Sequence, residues 1–583
     1  MNLKWLCSLI LSLLFSISVF SQNKNVKLPL NWYNLDLLKD GYFGISTERA
    51  YKELLSNKKP KDKIIVAVID GGVDVNHEDL NGVIWTNSKE IAGNGIDDDG
   101  NGYIDDINGW NFIGSKNGNL AYDNLEMTRI RRAYMSKYIS TTNLTVLDST
   151  QREEFELYKR ATQEFGEKYN DAHASFRIVS MINKVLDSVA LVNHKDIPTI
   201  EDIDKYVADN EEEEQIKKII KGGVKDSGSI EKFFKEMKDA YKQYDIMLKY
   251  NLNVEYDKRK ELVGDDYDNA EERIYGNNDV TGPNAEHGTH VAGIIGAKRD
   301  NGIGINGIGN SVRIMAVRVV PEGDERDKDV ANGIRYAVDN GARVINMSFG
   351  KGFKWNKQIV DDAVRYAEQK GVLLVHAAGN DNLNNDVEEN YPNKYFDTPE
   401  ALAYRRAQHK ERPKIPFQPA HGQMQGGMLG SALAKPKPID TAKFNFPHAN
   451  NWIEVGASAY ADDASLKASF SNYGKYTVDV FAPGFMIKST VPGSKYEEFD
   501  GTSMASPVVA GLAAMILSYY PDLNPAQVRE IIMKSVTKVD KKVKYTNSRN
   551  ENTRVSLSDL CVSGGIVNAY NAMKLAETYS ISK

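Results

Sequence analysis

Four short strings in this chain carry the side chains that a serine needs to hydrolyse an amide. That chemistry calls for a nucleophilic hydroxyl, an imidazole to take its proton, a carboxylate to orient the imidazole, and donors for the developing oxyanion. Ser503 lies in Gly501-Thr502-Ser503-Met504-Ala505-Ser506-Pro507, ahead of an apolar, small-residue helical run from Val508 to Leu517. A serine at a helix start is exposed beside free backbone N–H groups. His287 opens His287-Gly288-Thr289-His290-Val291-Ala292-Gly293, a turn leading into a second small-residue helix. No glutamate accompanies these two histidines as a metalloprotease helix requires, so His287 is read as a base and His290 as a packed structural residue. Asp70 ends the run Lys63 to Asp70 and precedes Gly71-Gly72. It falls at the carboxyl edge of a strand, where sites on parallel sheets form. Asp74 is the rival carboxylate, but it lies past the turn and is read as bracing the loop. Asn380 ends Ala377-Ala378-Gly379-Asn380 and offers an amide N–H to the oxyanion.

A second pattern suits a cation rather than a reaction. In Asp97-Asp98-Asp99-Gly100-Asn101-Gly102-Tyr103-Ile104-Asp105-Asp106, oxygens alternate at Asp97, Asp99 and Asn101, a glycine follows, and Tyr103 offers its backbone carbonyl. This is the opening of a calcium loop, and crowded carboxylates repel one another without a cation. The usual closing glutamate is missing, with Asp105 or Asp106 as its substitute, so the expected cofactor is structural calcium and the exact ligand set stays open.

The elements that must position these groups are legible in outline. Apolar, β-branched runs at Lys63 to Asp70, Val312 to Val319, Val344 to Met347 and Val372 to His376 alternate with helical patterns at Val330 to Asp339 and Gln358 to Glu368. Such alternation implies an α/β fold, a mostly parallel central sheet with helices on both faces. The pattern breaks between residues 114 and 263, where the chain is charged and proline-poor. There Phe155, Tyr158, Ala161, Phe165 and Tyr169 recur at helical intervals, as do Phe234, Met237, Tyr241 and Tyr244. This predicts an inserted helical module, with the acidic run Glu211 to Glu214 as a solvated helix start. A stretch rich in Pro, Gly, Gln and Met, near residues 397–446, reads as a surface loop insertion.

Taken together, these strings and their order Asp, His, Ser resemble the subtilisin-like serine peptidase (subtilase) family, over roughly Lys63 to Phe112 and Asp279 to Met573 without the loop insertion. The resemblance implies a three-layer fold and a secreted endopeptidase working through an acyl-enzyme. In it Asp70 orients, His287 is general base and acid, Ser503 is the nucleophile, and Asn380 with the Ser503 backbone N–H forms the oxyanion hole. It further implies that Ser348-Phe349-Gly350 pairs with an extended substrate as an added strand, and that Phe470 to Gly474 and Ala482 to Gly484 are structural walls. The chain is thus divided into a signal peptide (1–21), a short N-terminal segment (22–62), a first catalytic part (63–113), the helical insertion (114–263) and a second catalytic part (264–583). Asp381, Glu322, Asp324 and Glu325, expected beside the cleft, favour basic residues in the substrate.

Composition sets the outer bounds. A chain of 583 residues, 41% hydrophobic, exceeds one ordinary domain, and a net charge of -7 gives no reason to expect nucleic-acid binding. Lys4 followed by the apolar run Trp5 to Phe20 reads as an export signal cleaved after Ser21, too short for a membrane span. Cleavage would remove Cys7 and leave Cys561 alone, which excludes a disulfide. The expected product is a secreted or periplasmic monomer acting on proteins or peptides.

Overall fold

The computed structural model describes residues 27–141, 143–410, 439–546 and 551–581. The signal segment with Cys7, and the middle of the 397–446 stretch, lie outside the described residues. Tyr122–Asp257 forms one compact unit, and the described chain on either side of it forms the other.

The larger unit is built on a nine-stranded sheet. In chain order its strands are β1 (Ile64–Asp70), β2 (Gly109–Asn111), β3 (Val312–Arg318), β4 (Val344–Met347), β5 (Leu373–Ala377), β6 (Trp452–Ser458), β7 (Val480–Pro483), β8 (Thr537–Lys538) and β9 (Gly565–Ile566). They lie in the order β8-β9-β7-β6-β5-β4-β1-β3-β2. Every pairing is parallel except that of β8 with β9 at one edge. The apolar run of β1 serves two cores at once, because successive side chains point to opposite faces. Val66 and Val68 join one core, Ala67 and Ile69 the other. Helices α1 (Glu286–Gly296) and α4 (Thr502–Tyr519) cover the first face. Helices α2 (Asp327–Asp339) and α3 (Lys357–Gln369) cover the second. A sheet buried on both faces needs continuous rather than alternating apolar strands, which is what these runs are.

Helix α4 is the one described helix long and apolar enough to cross a membrane, yet 94% of it is buried here. Its small residues let it lie as the central core helix under β1, β4, β5 and β6. Residues 28–55, which carry no clear periodicity, are part of this same core. Trp32, Tyr33, Ile45 and Ala50 are fully buried, and Trp32 Nε1 donates to the Met486 carbonyl at 3.0 Å. This segment also meets the far end of the chain. The Ala569 N–H donates to the Ile45 carbonyl, and Asn568 Nδ2 to Ser46 Oγ at 3.0 Å.

In the smaller unit, helix Ser149–Val192 runs for 44 residues and packs with Glu211–Ser227 and Ile230–Ile246 around Ile182, Leu186, Ile220, Phe233 and Met237. The acidic run opens the second of these helices, with Asn210 as cap, and Glu213 turns inward to accept from Asp209 N and Tyr206 Oη. Residues 114–121 and 258–263, assigned to the insertion from sequence, belong to the larger unit instead. The stretch expected as a loop begins with a helix, Pro399–Lys410.

Candidate functional site

Asp70, His287, Asn380 and Ser503 are placed by the ends of β1, α1, β5 and α4. Asp70 is the last residue of β1, and Gly72 just beyond has φ +136°, where a Cβ would lie 2.1 Å from the Thr281 carbonyl oxygen. That close approach brings the loop ahead of α1 against the aspartate's turn. His287, the second residue of α1, then faces Asp70, with Nδ1 at 2.8 and 3.0 Å from the two carboxylate oxygens. Burial works against the charged imidazole, and the Asp70 carboxylate works for it through charge and hydrogen bond. With lesser help from Glu322 and Glu286, the net effect holds His287 above its ordinary value of 6.5. Burial is the largest single influence, but the charge and hydrogen bond of Asp70 with the two glutamates together outweigh it.

Ser503 is the second residue of α4 and is held by the neighbouring strand end. Its Oγ donates to the Ser348 carbonyl at 3.1 Å. Pro507, four residues on, has no N–H to give the Ser503 carbonyl, and that acceptor takes the Ser348 hydroxyl instead at 2.9 Å. Ser348 therefore holds Ser503 at two points, its side-chain hydroxyl and its backbone carbonyl. Asn380 follows β5, and its Oδ1 accepts from Thr502 N at 2.8 Å and Thr502 Oγ1 at 3.0 Å. This fixes the amide with Nδ2 as its open donor, next to the first free N–H groups of α4.

Ser348, Phe349 and Gly350 continue β4 as expected of a strand end. Phe349 packs edge-on against the buried His376, whose Nδ1 lies 3.0 Å from Glu454. The wall residue Asn472 accepts from Asp381 N and Leu383 N and donates to the Ala378 carbonyl, tying the Asn380 loop down. Asp74 braces its loop, with Oδ2 accepting from Gly493 N at 2.9 Å. His290 is fully buried and stacked on Phe499, and burial pushes it down to about 3, leaving it neutral. Of the acidic residues expected at the cleft, Glu325 is turned inward, where burial pushes its carboxyl up to about 7. Glu322 and Asp381 are exposed.

In the Asp-rich loop the carboxylates of Asp97 and Asp99 are joined by one from ahead of the loop. Carboxylate oxygens of Glu90, Asp97 and Asp99 all lie within 4.8 Å of one another. Asn101 adjoins them, its N–H donating to both Asp97 and Asp99. Tyr103 follows in the loop, its N–H donating to Asn101 Oδ1. Asp105 is engaged elsewhere, accepting from the N–H groups of Gly93, Asn94 and Gly95. Asp106 accepts from Asn87, Asn101 and Tyr336, and burial raises its pKa. The third carboxylate is thus Glu90, which stands before the loop, where loop spacing gives no reason to look for it. Three carboxylates in one cluster fit a hard cation such as calcium.

A family model described as the subtilase family matches residues 61–554. A thermophilic serine proteinase of Bacillus sp. (strain AK1) is 35% identical over 254 residues, 43% of this chain and 47% of that protein. The subtilisin of Bacillus pumilus is 34% identical over 257 residues, 43% of this chain and 70% of that protein. The match thus spans about half the length of the first of these relatives. A solved structure of a cold adapted subtilisin-like serine proteinase is 26% identical, covering 48% of this chain and 76% of that one, with a TM-score of 0.32.

Proposed function

The chain belongs to the subtilase family, and we propose that it is an exported serine endopeptidase with Asp70, His287 and Ser503 as its catalytic triad. The observation that carries this reading is the His287 Nδ1 contact with both oxygens of Asp70, which commits Nδ1–H to the carboxylate and leaves Nε2 as the basic nitrogen. Ser503 Oγ leaves the Ser348 carbonyl, gives its proton to Nε2 and attacks the scissile carbonyl carbon. The oxyanion so formed takes hydrogen bonds from Asn380 Nδ2 and the Ser503 N–H. As the C–N bond breaks, the imidazolium returns its proton to the departing amine, leaving an ester on Ser503. Water then adds to that ester with His287 again as base, and the acid product leaves with Ser503 restored. The substrate lies extended along Ser348, Phe349 and Gly350, its backbone bonding theirs as an extra strand.

Calcium completes the proposal, held by Glu90, Asp97 and Asp99 with Asn101 and the Tyr103 carbonyl beside them. It would neutralise the clustered carboxylates and take no part in the reaction. Export rests on the charged start and apolar run of the N-terminal segment.

The test is labelling by a fluorophosphonate probe. Wild-type enzyme is expected to be labelled and Ser503→Ala not. A folded wild type that takes no label, or a mutant labelled as well as wild type, refutes the assignment.

A further inference from the structure

Arg318 closes β3 directly opposite Asp70 in the register of the sheet. Its side chain is completely buried. Among the described residues no carboxylate hydrogen-bonds it, and its guanidinium is satisfied by neutral oxygens from separate stretches of chain. Nε donates to the Gly71 carbonyl at 2.8 Å. Nη1 donates to Asn111 Oδ1 at 3.0 Å and to the Ile113 carbonyl at 3.3 Å. Nη2 donates to the Leu120 carbonyl at 2.7 Å. A third stretch packs on it, since a Cβ at Gly282 would lie 2.3 Å from Nε.

These contacts have one thing in common. Gly71 is the residue after Asp70, and Gly282 lies in the loop that leads into α1 and His287. Asn111, Ile113 and Leu120 belong to the stretch through which the chain passes out of the larger unit. Burial draws the guanidinium down to about 10, with Asp279 the one charge that opposes this. A buried cation with no carboxylate bonded to it is costly, and an apolar side chain would fill the space more cheaply. What an apolar side chain cannot do is tie the aspartate's turn to its neighbours. Lysine cannot do so either, because it presents a point charge where arginine presents a rigid fork of five donors.

We propose that Arg318 is a positioning residue for the reaction, holding the Asp70–Gly71 turn against the Asn111–Leu120 stretch and the loop before His287, so that Asp70 meets the imidazole squarely. The proposal rests on the triad reading given above. The experiment compares wild type, Arg318→Lys and Asn111→Ala, each counted by fluorophosphonate titration, for kcat, KM and the pH profile of kcat/KM. Arg318→Lys is expected to lose about tenfold to a hundredfold in kcat with little change in KM, the scale of loss from a misplaced catalytic group. Its acid limb should move to lower pH, because a loosened Asp70 no longer raises His287. Asn111→Ala, which removes one acceptor, is expected to shift both quantities the same way by less. A merely structural arginine would lower the melting temperature and leave kcat per titrated site and the acid limb in place; that result in Arg318→Lys overturns the proposal. If Arg318→Lys does not fold, an unmoved limb in Asn111→Ala overturns it. Failure of wild type itself to label at Ser503 sinks the triad reading instead, and so is told apart.

Discussion

Gly288, immediately after the proposed catalytic histidine, offers the sharpest single test of the site geometry. A Cβ built there would lie 2.2 Å from the Gly72 carbonyl oxygen and 3.1 Å from Asp70 Cβ. Carbon and oxygen in contact settle at about 3.3 Å, so Gly288→Ala must open about 1 Å between the start of α1 and the aspartate's turn. The obstruction is backbone on one side and helix on the other, and neither can swing away like a side chain. Moving His287 back by that amount takes its 2.8 Å bond to Asp70 out of hydrogen-bond range. A displacement of about 1 Å costs about a hundredfold in rate, or about 2.7 kcal/mol of transition-state stabilisation. Helix propensity points the other way, since alanine is the better helix former by about 1 kcal/mol. A loss therefore cannot be blamed on a weakened helix. The assay is kcat/KM on a chromogenic peptide, per site titrated with fluorophosphonate, with the pH profile recorded alongside. A folded Gly288→Ala enzyme within threefold of wild type, its acid limb unmoved, refutes the reasoning.

Other groups around the site respond to substitution and pH in predictable directions. Asn380→Ala should lose kcat rather than KM, by about 10²–10³-fold, the size of effect found when a subtilisin loses such a donor. Because His287 must be neutral to act as base and is held above 6.5, activity should fall on acidification at a higher pH than a free imidazole would give; Glu322→Gln should move that limb down. The same raised value means that the His287–Asp70 pair contributes stability fully below about pH 6.5 and loses it as pH rises through the folded pKa, which melting curves of His287→Gln against wild type would expose. Chelation should lower the melting temperature of wild type, and Glu90→Ala or Asp97→Ala should abolish that difference. Lys467, buried with Asn382 Oδ1 and the Ala468 carbonyl as its acceptors among the described residues, is drawn down to about 7 by burial. Between that pH and the ordinary lysine range the unfolded chain binds the extra proton. Stability should rise with pH there, by at most about 1.4 kcal/mol per unit, and Lys467→Met should not share the rise.

How much of this could be read beforehand depended on how local the signal was. The runs that became β1, β3, β4 and β5 are apolar throughout because each strand is buried on both faces, and that pattern lies within a few consecutive residues. The strings around Asp70, His287, Asn380 and Ser503 are equally local, each a strand or helix end with its turn. Arg318 was not legible, since its meaning lies in acceptors drawn from Gly71, Asn111, Ile113 and Leu120, which no spacing joins. Glu90 escaped for a related reason, as it enters the acidic cluster from before the loop. Residues 28–55 looked like a mere lead-in because their burial follows from where Trp32 and Tyr33 dock, not from a repeat.

The junction of Ile45 and Ser46 with Asn568 and Ala569 sets a timetable for the chain. Ser46 and Asn568 are separated by 522 positions, so the bond between them cannot form until nearly the whole polypeptide has been synthesised. Closing so long a loop adds little to its entropic cost, which grows only with the logarithm of length, but contacts between remote segments form slowly. The newly made protein therefore passes through a period in which this junction, and the core around Trp32 and Ile45 that it seals, is still open to water. A polypeptide that has not yet sealed its ends can still be threaded, which is the state that the export proposed above requires.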